Sequence, residues 1–322
     1  MGAFSDHTRA TLPVHVAHGR TPGPAMFLTA AVHGNEIIGV EVIRRVLRLK
    51  GLKRLRGTLL CVPIVNIFGF ISQNRYLPDR RDLNRSFPGS PTGSLAGQMA
   101  HLLLNEVITR CDYGIDLHSA AIHRSNLPQI RMAEGDPELI ELAKAFSPPL
   151  IMQAKLRKGS MREAAQEKGV KVLLYEAGEA LRFDEFSVRV GLRGVLGVMR
   201  HLGMLPQQKS APKRTPPLVS HKSIWVRAPS AGLLRAYRTR GEVIEAGQLL
   251  GIISDPLGDS EWEVISPQAG IIIGRSELPV INQGDALFHV AEIARPVAAE
   301  GAVENLESEI SSDPLFDEDE IL

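Results

Sequence analysis

The chain has 322 residues, 44% hydrophobic and 23% charged, which is enough to bury a sizeable core in one large domain or two ordinary ones. No apolar run approaches the roughly 18–20 residues of a membrane helix, and the start "MGAFSDHTRATLPVHVAHGR" lacks the apolar stretch of a secretory signal. The net charge of +1 conceals an asymmetry, because residues 296–322 carry nine acidic groups and no basic one, leaving 37 basic against 27 acidic in the rest.

From Met26 onward, apolar strands alternate with amphipathic helices. "AMFLTAAV" reads as a buried strand, residues 37–49 as a helix, and "GTLLCVPIVN" (57–66) as the next strand. A loop rich in Arg, Asn, Pro and Asp runs from Phe68 to Thr92, followed by a helix over 95–110 and the strand "YGIDLH" (113–118). The helices "DPELIELAKAF" and "MREAAQEKG" alternate with the strands "LIMQAK" and "VKVLLYEAG", and "SVRVGLRGVLGVMRHLG" closes the run. Such alternation predicts an α/β domain over 1–205 with a mixed, mostly parallel sheet covered by helices.

"PQQKSAPKRTPPLVS" (206–220) is polar and proline-rich and is expected to be a linker. Beyond it, "APSAGLL…GEVIEAGQLLGII" echoes in "SPQAGIII…LPVINQGDALFHV". The repeat predicts a second, smaller all-β domain over 221–295, which resembles the biotinyl/lipoyl-like barrel-sandwich fold. Its tip, "SDPLGDSEWE", has no lysine to carry a cofactor. The acidic tail, 296–322, is expected to be disordered, with at most a short helix near "VENLESEI".

Low aromatic content (5%) and the absence of a helix-turn-helix or zinc-finger pattern argue against nucleic acid. A basic pocket for an acidic small molecule accounts for the body's charge equally well. Cys61 and Cys111 sit in apolar contexts, as expected of buried thiols in a reducing compartment, and the expected address is the cytoplasm.

The chemistry begins at "AAVHGNEIIG", where His33 and Glu36 stand at a strand-to-helix handover. An H-x-x-E pair alone carries little information; His289 and Glu292 form another, along a predicted strand, and are read as structural. Position distinguishes the first pair, because ligands of open α/β sheets bind beyond the carboxyl ends of the strands. Gly34 would let the chain turn so that Glu36, in the first helical turn, faces the same point. Two further apolar strands end in His118 ("YGIDLHSA") and Glu176 ("VKVLLYEAGE"). Two imidazoles and one carboxylate make the three-ligand set of a catalytic zinc site, with Glu176 placed as a base toward a bound water. Asp116 is read as lying on the opposite side of the strand from His118, in a supporting role.

In the order "HGNE", "DLNRSFPG", "DLHSA" and "YEAGE", the chain resembles the succinylglutamate desuccinylase/aspartoacylase family over residues 20–290. The resemblance implies a zinc-carboxypeptidase-like catalytic domain with one Zn²⁺ on His33, Glu36 and His118, and Glu176 as general base. It also implies that Asn84 and Arg85 grip a substrate carboxylate. Arg75 would polarise the scissile carbonyl, with Arg80 and Arg81 as rivals. One departure concerns the arginine that aspartoacylases carry about ten residues before the base, where Gln166 stands here with Arg162, Lys168 and Lys171 nearby. His123 and Arg124 are placed either at the pocket or on a surface loop.

The expected activity is zinc-dependent hydrolysis of a small N-acyl amino acid or related carboxylate-bearing amide. The alternatives are a metallocarboxypeptidase trimming a C-terminal residue and, from another class, a non-enzymatic binding module. A short gate over the site from the β domain would favour small substrates; an open groove would favour peptides. Neither nucleic acid nor membrane is an expected partner, and a homo-oligomer is left open.

Overall fold

The structure, a computed structural model, describes residues 7, 11–207, 215–293 and 301–311. Strands β1 (His15–His18), β2 (Thr21–Ala30), β3 (Arg56–Val62), β4 (Tyr113–Ala120), β5 (Arg124–Met132), β6 (Leu150–Gln153) and β7 (Lys171–Glu179) belong to one sheet. Its centre, β3-β2-β4-β7, is parallel. The helices interleaved with these strands are α1 (Ile38–Arg48), α2 (Ile67–Ile71), α3 (Leu95–Glu106), α4 (Pro137–Phe146), α5 (Met161–Glu167) and α6 (Glu185–His201).

Strand alternation sorts the residues into two cores. Met26, Leu28, Ile115, Leu117, Leu173 and Tyr175 pack under α1, α4 and α6. Phe27, Leu60, Val62 and Val172 pack under α3 and α5. Gly39 lets α1 lie directly on the sheet, since a Cβ there would meet the Leu117 Cβ at 2.5 Å. The helix ends follow ordinary capping chemistry: Ser94 Oγ accepts from Gly97 N at 3.2 Å, and Asp136, followed by Pro137, accepts from Glu138 N at 3.0 Å.

Downstream, β8 (Leu218–Ser220), β9 (Ser223–Arg227), β10 (Gly232–Ala236), β11 (Val243–Ile244), β12 (Leu249–Ser254), β13 (Glu261–Ile265), β14 (Gly270–Ser276), β15 (Val280–Ile281) and β16 (Ala286–Ala291) follow without an intervening α-helix. They share a core of Val226, Ile244, Leu250, Ile253, Val264, Ile272, Leu287 and Phe288. Strands β14, β16 and β9 extend the large sheet from β5, while β13, β12, β10 and β15 make a separate four-stranded sheet.

The large sheet is mixed as expected, its parallel centre flanked by antiparallel pairs of β1 with β3, β7 with β5 and β5 with β14. Two other expectations need correction. Within the expected linker, residues 218–220 form β8, which pairs parallel with β6; residues 208–214 of that linker lie outside the described residues.

The second correction concerns the acidic tail, where the short helix expected near "VENLESEI" forms but is docked on the body. Helix α7 (Ala302–Ser311) packs with α6, burying Leu306 and Ile310 to 3% and 2% exposure. Glu309 accepts from Thr215 Oγ1 at 2.7 Å and lies 3.4 Å from the buried Arg193. Acidic composition argued for disorder, but a Leu-to-Ile spacing of four residues makes an apolar stripe that a neighbouring helix covers. The rest of the expected disordered tail lies outside the described residues.

Leu306→Ala and Ile310→Ala should each destabilise the protein by about 2 kcal/mol or more, the lower range for emptying a buried aliphatic site. Urea unfolding checks this; an unchanged midpoint in both variants would show that α7 does not dock in solution.

Candidate active site

The centre of the site is the Glu36 carboxylate, 2% exposed. Its Oε1 lies 2.7 Å from His33 Nδ1 and accepts from Arg75 Nη1 at 3.1 Å. Its Oε2 lies 2.8 Å from His118 Nδ1 and accepts from Ser119 N at 3.2 Å. The two imidazoles stand edge to face, their centroids 5.0 Å apart. One ligand atom from each of His33, Glu36 and His118 falls within 4.8 Å of the others, so the three could hold a metal ion.

Local backbone places each of them. His33 follows the end of β2, and the sharp bend there uses Ala31 at φ 50°. The chain turns at Gly34 as expected, and the structure adds a second reason for glycine there. A Cβ on it would lie 1.9 Å from the Gly69 carbonyl carbon, so glycine is required by close approach to α2. Glu36 precedes α1, its N–H donating to His33 O at 3.0 Å. His118 on β4 is in register with Glu176 on β7, which brings the fourth expected residue beside the trio.

The outer ring nitrogens are also held. His33 Nε2 lies 3.1 Å from Asp82 Oδ1, and His118 Nε2 lies 2.6 Å from Asp116 Oδ2, while Asp116 Oδ1 accepts from Thr29 Oγ1 at 2.8 Å. Asp116 therefore shares a face with His118, contrary to the sequence reading, because residues two apart on a strand point the same way. A carboxylate behind each imidazole fixes the ring and raises its basicity, as behind metal-bound histidines. Burial disfavours charge on every one of these groups, but the opposite charges prevail. His33 and His118 are held above the usual imidazole value, and Glu36 and Asp82 well below the usual carboxylate range. A cation entering between the imidazoles would replace their protons.

Arg75 Nη2 donates to Asp82 Oδ2 at 3.1 Å, so one guanidinium spans Glu36 and Asp82. Arg75 and Arg85 line the cavity; Arg80 and Arg81 do not. Asn84 Oδ1 accepts from Met161 N at 2.9 Å, tying its loop to α5. Asn126 Nδ2 donates to Glu176 Oε2 at 3.0 Å. Gly274 makes room for Asn126, since a Cβ there would lie 2.7 Å from its Oδ1.

The cavity, about 540 Å³, holds all the expected ligand, base and clamp residues and several that sequence reasoning missed. Arg131 and Arg162 line it, whereas Gln166 lies in a different depression. Trp225 and His289 form a wall, stacked at 4.5 Å and 11°, with the Arg124 guanidinium 5.1 Å from the Trp225 ring. His289 is thus a cavity residue as well as a packed one, and burial pushes its pKa down to about 3. Arg124 lines the cavity on β5; His123 does not. A chemical signal for Asp82 lay in the sequence, one residue before "LNR"; none marked Arg131 or Trp225.

The profile of the succinylglutamate desuccinylase/aspartoacylase catalytic domain matches residues 22–202. The chain belongs to that family. It is 26% identical over 294 residues to the N-α-acetyl-L-2,4-diaminobutyric acid deacetylase of Halomonas elongata, covering 88% of this chain and 86% of the relative. The crystal structure of a succinylglutamate desuccinylase/aspartoacylase from Rhodobacter sphaeroides superposes with a TM-score of 0.78 at 26% identity, over 89% of this chain and 91% of that one. The product-bound ectoine utilization protein EutE (DoeB) of Ruegeria pomeroyi shares the fold, with a TM-score of 0.80 at 24% identity, over 90% and 92%.

The close approach at Gly34 yields a direct test. Gly34→Ala should destabilise the protein by about 1–3 kcal/mol, the usual cost of overpacking, and reduce metal binding by displacing His33 and Glu36. Thermal unfolding and calorimetric metal titration would show it; wild-type values in both would mean that α2 yields freely.

Proposed function

We propose that this chain is a zinc-dependent hydrolase that cleaves the amide bond of a small N-acyl amino acid or related carboxylate-bearing amide. The observation that carries the reading is the buried His33–Glu36–His118 trio with Glu176 beside it in one cavity. The donor set fits zinc, as two imidazoles and one carboxylate leave a fourth position open, and carboxylates stand behind both rings. Zn²⁺ bound there would supply an acidified water and polarise the scissile carbonyl.

The chain's own residues do the rest. Glu176, oriented by Asn126, takes a proton from the attacking water and delivers it to the leaving amine. Arg75, held by Glu36 and Asp82, presents positive charge where the carbonyl oxygen becomes anionic. Asn84 and Arg85 hold the substrate carboxylate, for which a planar guanidinium fork is suited.

The relative named as a deacetylase supports amide hydrolysis. The Trp225–His289 wall supports a small substrate over the peptide of a metallocarboxypeptidase, because a cavity of about 540 Å³ bounded on one side by residues of the β region suits a small molecule. We extend the proposal to a carboxypeptidase-like catalytic unit and a second all-β unit, the latter supported by the core that the β-region strands share. A cytoplasmic address is supported by Cys61 and Cys111, both free and buried; among the described residues, no helix is long and apolar enough to cross a membrane.

Purified protein should contain about one Zn²⁺, and His118→Ala should lose both metal and hydrolysis of N-acyl amino acids. Full metal occupancy in that variant would overturn the ligand assignment. Glu176→Gln should retain metal while kcat falls at least roughly 10²-fold, as for loss of a general base. Near-normal turnover would move the base elsewhere.

A further inference from the structure

The orientation of Glu176 rests on one contact. Among the described residues, a single hydrogen bond reaches its carboxylate, from Asn126 Nδ2 to Oε2 at 3.0 Å. That bond leaves Oε1 to face the water it would deprotonate, so the direction in which Asn126 points decides where the base points.

Asn126 is only partly held by its own strand. It is the last residue of β5 in register with β14, opposite Gly274, and its register with β7 breaks after it, before Gln129. The β region supplies the missing support. Arg240 Nη1 donates to the Asn126 carbonyl at 3.2 Å, and Arg240 Nη2 lies 3.5 Å from Asp184 Oδ2, just before α6. Arg240 does not line the catalytic cavity; it lines a separate depression of about 600 Å³ with Ser125, Gly178 and Asp184.

The turn that carries Arg240, between β10 and β11, is itself fastened to the sheet. Gly241 N donates to Ile272 O at 2.7 Å, Ile272 N donates to Glu242 O at 3.0 Å, and Thr239 N donates to Glu242 Oε1 at 2.8 Å. A guanidinium on such a turn is a stiff arm. Gly274 acts on the same residue from β14. A Cβ there would lie 2.7 Å from Asn126 Oδ1, and the amide, at the free end of a side chain, is the group that would give way.

We propose that Arg240 and Gly274 are positioning residues for the base, acting through Asn126, so that the β region governs proton transfer as well as bounding the cavity. The inference rests on the assignment of Glu176 as general base. A misplacement of about 1 Å caused by a residue far from the chemistry is enough to slow a reaction roughly 10²-fold.

The test uses full-length, metal-loaded protein with N-acetylalanine and N-α-acetyl-2,4-diaminobutyrate as substrates. Arg240→Ala and Gly274→Ala should each lower kcat about 10- to 100-fold. KM and zinc content should stay near wild type, because neither residue touches substrate or a metal-type ligand. Asn126→Ala should cause a loss of similar size. Added to Asn126→Ala, either change should lower kcat by less than about twofold more, since a residue acting only through Asn126 then has nothing left to position. Losses that multiply in the double variants would overturn the proposal and assign both residues a general structural role.

Crystal structures of the two single variants provide a readout without turnover. In each, Asn126 Nδ2 should move out of hydrogen-bond reach of Glu176. An unchanged contact in both would overturn the proposal, even if neither compound is a substrate. A lost contact with wild-type turnover would instead count against Glu176 as the base and leave its support by Arg240, Gly274 and Asn126 standing.

Discussion

A buried carboxylate organises this molecule. An uncompensated ion at the position of Glu36 would be penalised by several kcal/mol even after relaxation, so the fold around it is obliged to deliver partners. It does so from three separate places in the chain: His33 beyond β2, Arg75 from the long loop, and His118 with the Ser119 N–H from β4. Each partner fixes a different segment. The parallel pairing of β2 with β4, Ala30 beside Leu117, is what makes the first and third of these neighbours. The polar centre and the sheet register therefore depend on each other.

The next layer of charge ties the loop to the sheet. Asp82 touches His33 and Arg75 and accepts from the Asn84 N–H, while Asn84 reaches the start of α5. A displacement of the Asp82–Asn84 stretch would thus disturb His33, the Arg75 guanidinium and a helix end together. Arg75 is held in one orientation by two carboxylates, Glu36 and Asp82. Gly34 and Gly274 contribute by absence of a side chain. Each permits a contact that a methyl group would block, one between the His33 turn and α2 and one between β14 and Asn126.

Much of this was legible in the sequence because it rests on short-range pattern. Apolar runs marked the central strands, and polar residues at their ends marked His33, His118 and Glu176. Strand β5 was not legible. "RSNLPQIRM" is polar and contains Pro128, which lies in the register break between Asn126 and Gln129, where a missing N–H is tolerated. With β5 unseen, Asn126 and Arg131 had no place in the site. Asp116 was visible but assigned to the wrong side of its strand, although a period of two puts it with His118. Trp225 and His289 reach the cavity only because β16 and β9 join the large sheet through β14, a long-range pairing that no local motif announces. In α7 the local signal conflicted, charge favouring disorder and the Leu306–Ile310 spacing favouring a docked helix; packing on α6 decided it.

Strand β5 also explains how the two parts of the molecule share one cavity. Its first residues pair with β14 and its last with β6, and residues between them pair with β7. Asn126 sits where the strand meets the β region and orients Glu176; Arg131 sits on the same strand next to β7. The Asn126 contact to Glu176 and the Arg131 guanidinium are consequently built on one element, braced from both sides. A rigid strand holds a guanidinium against like-charged neighbours better than a loop could, because repulsion relaxes the more mobile partner first. Elsewhere the basic body neutralises itself, as Arg44 and Arg45 do with Glu41 and Glu185. Where β5 and α5 face the cavity, Arg131 and Arg162 form no such salt bridge among the described residues.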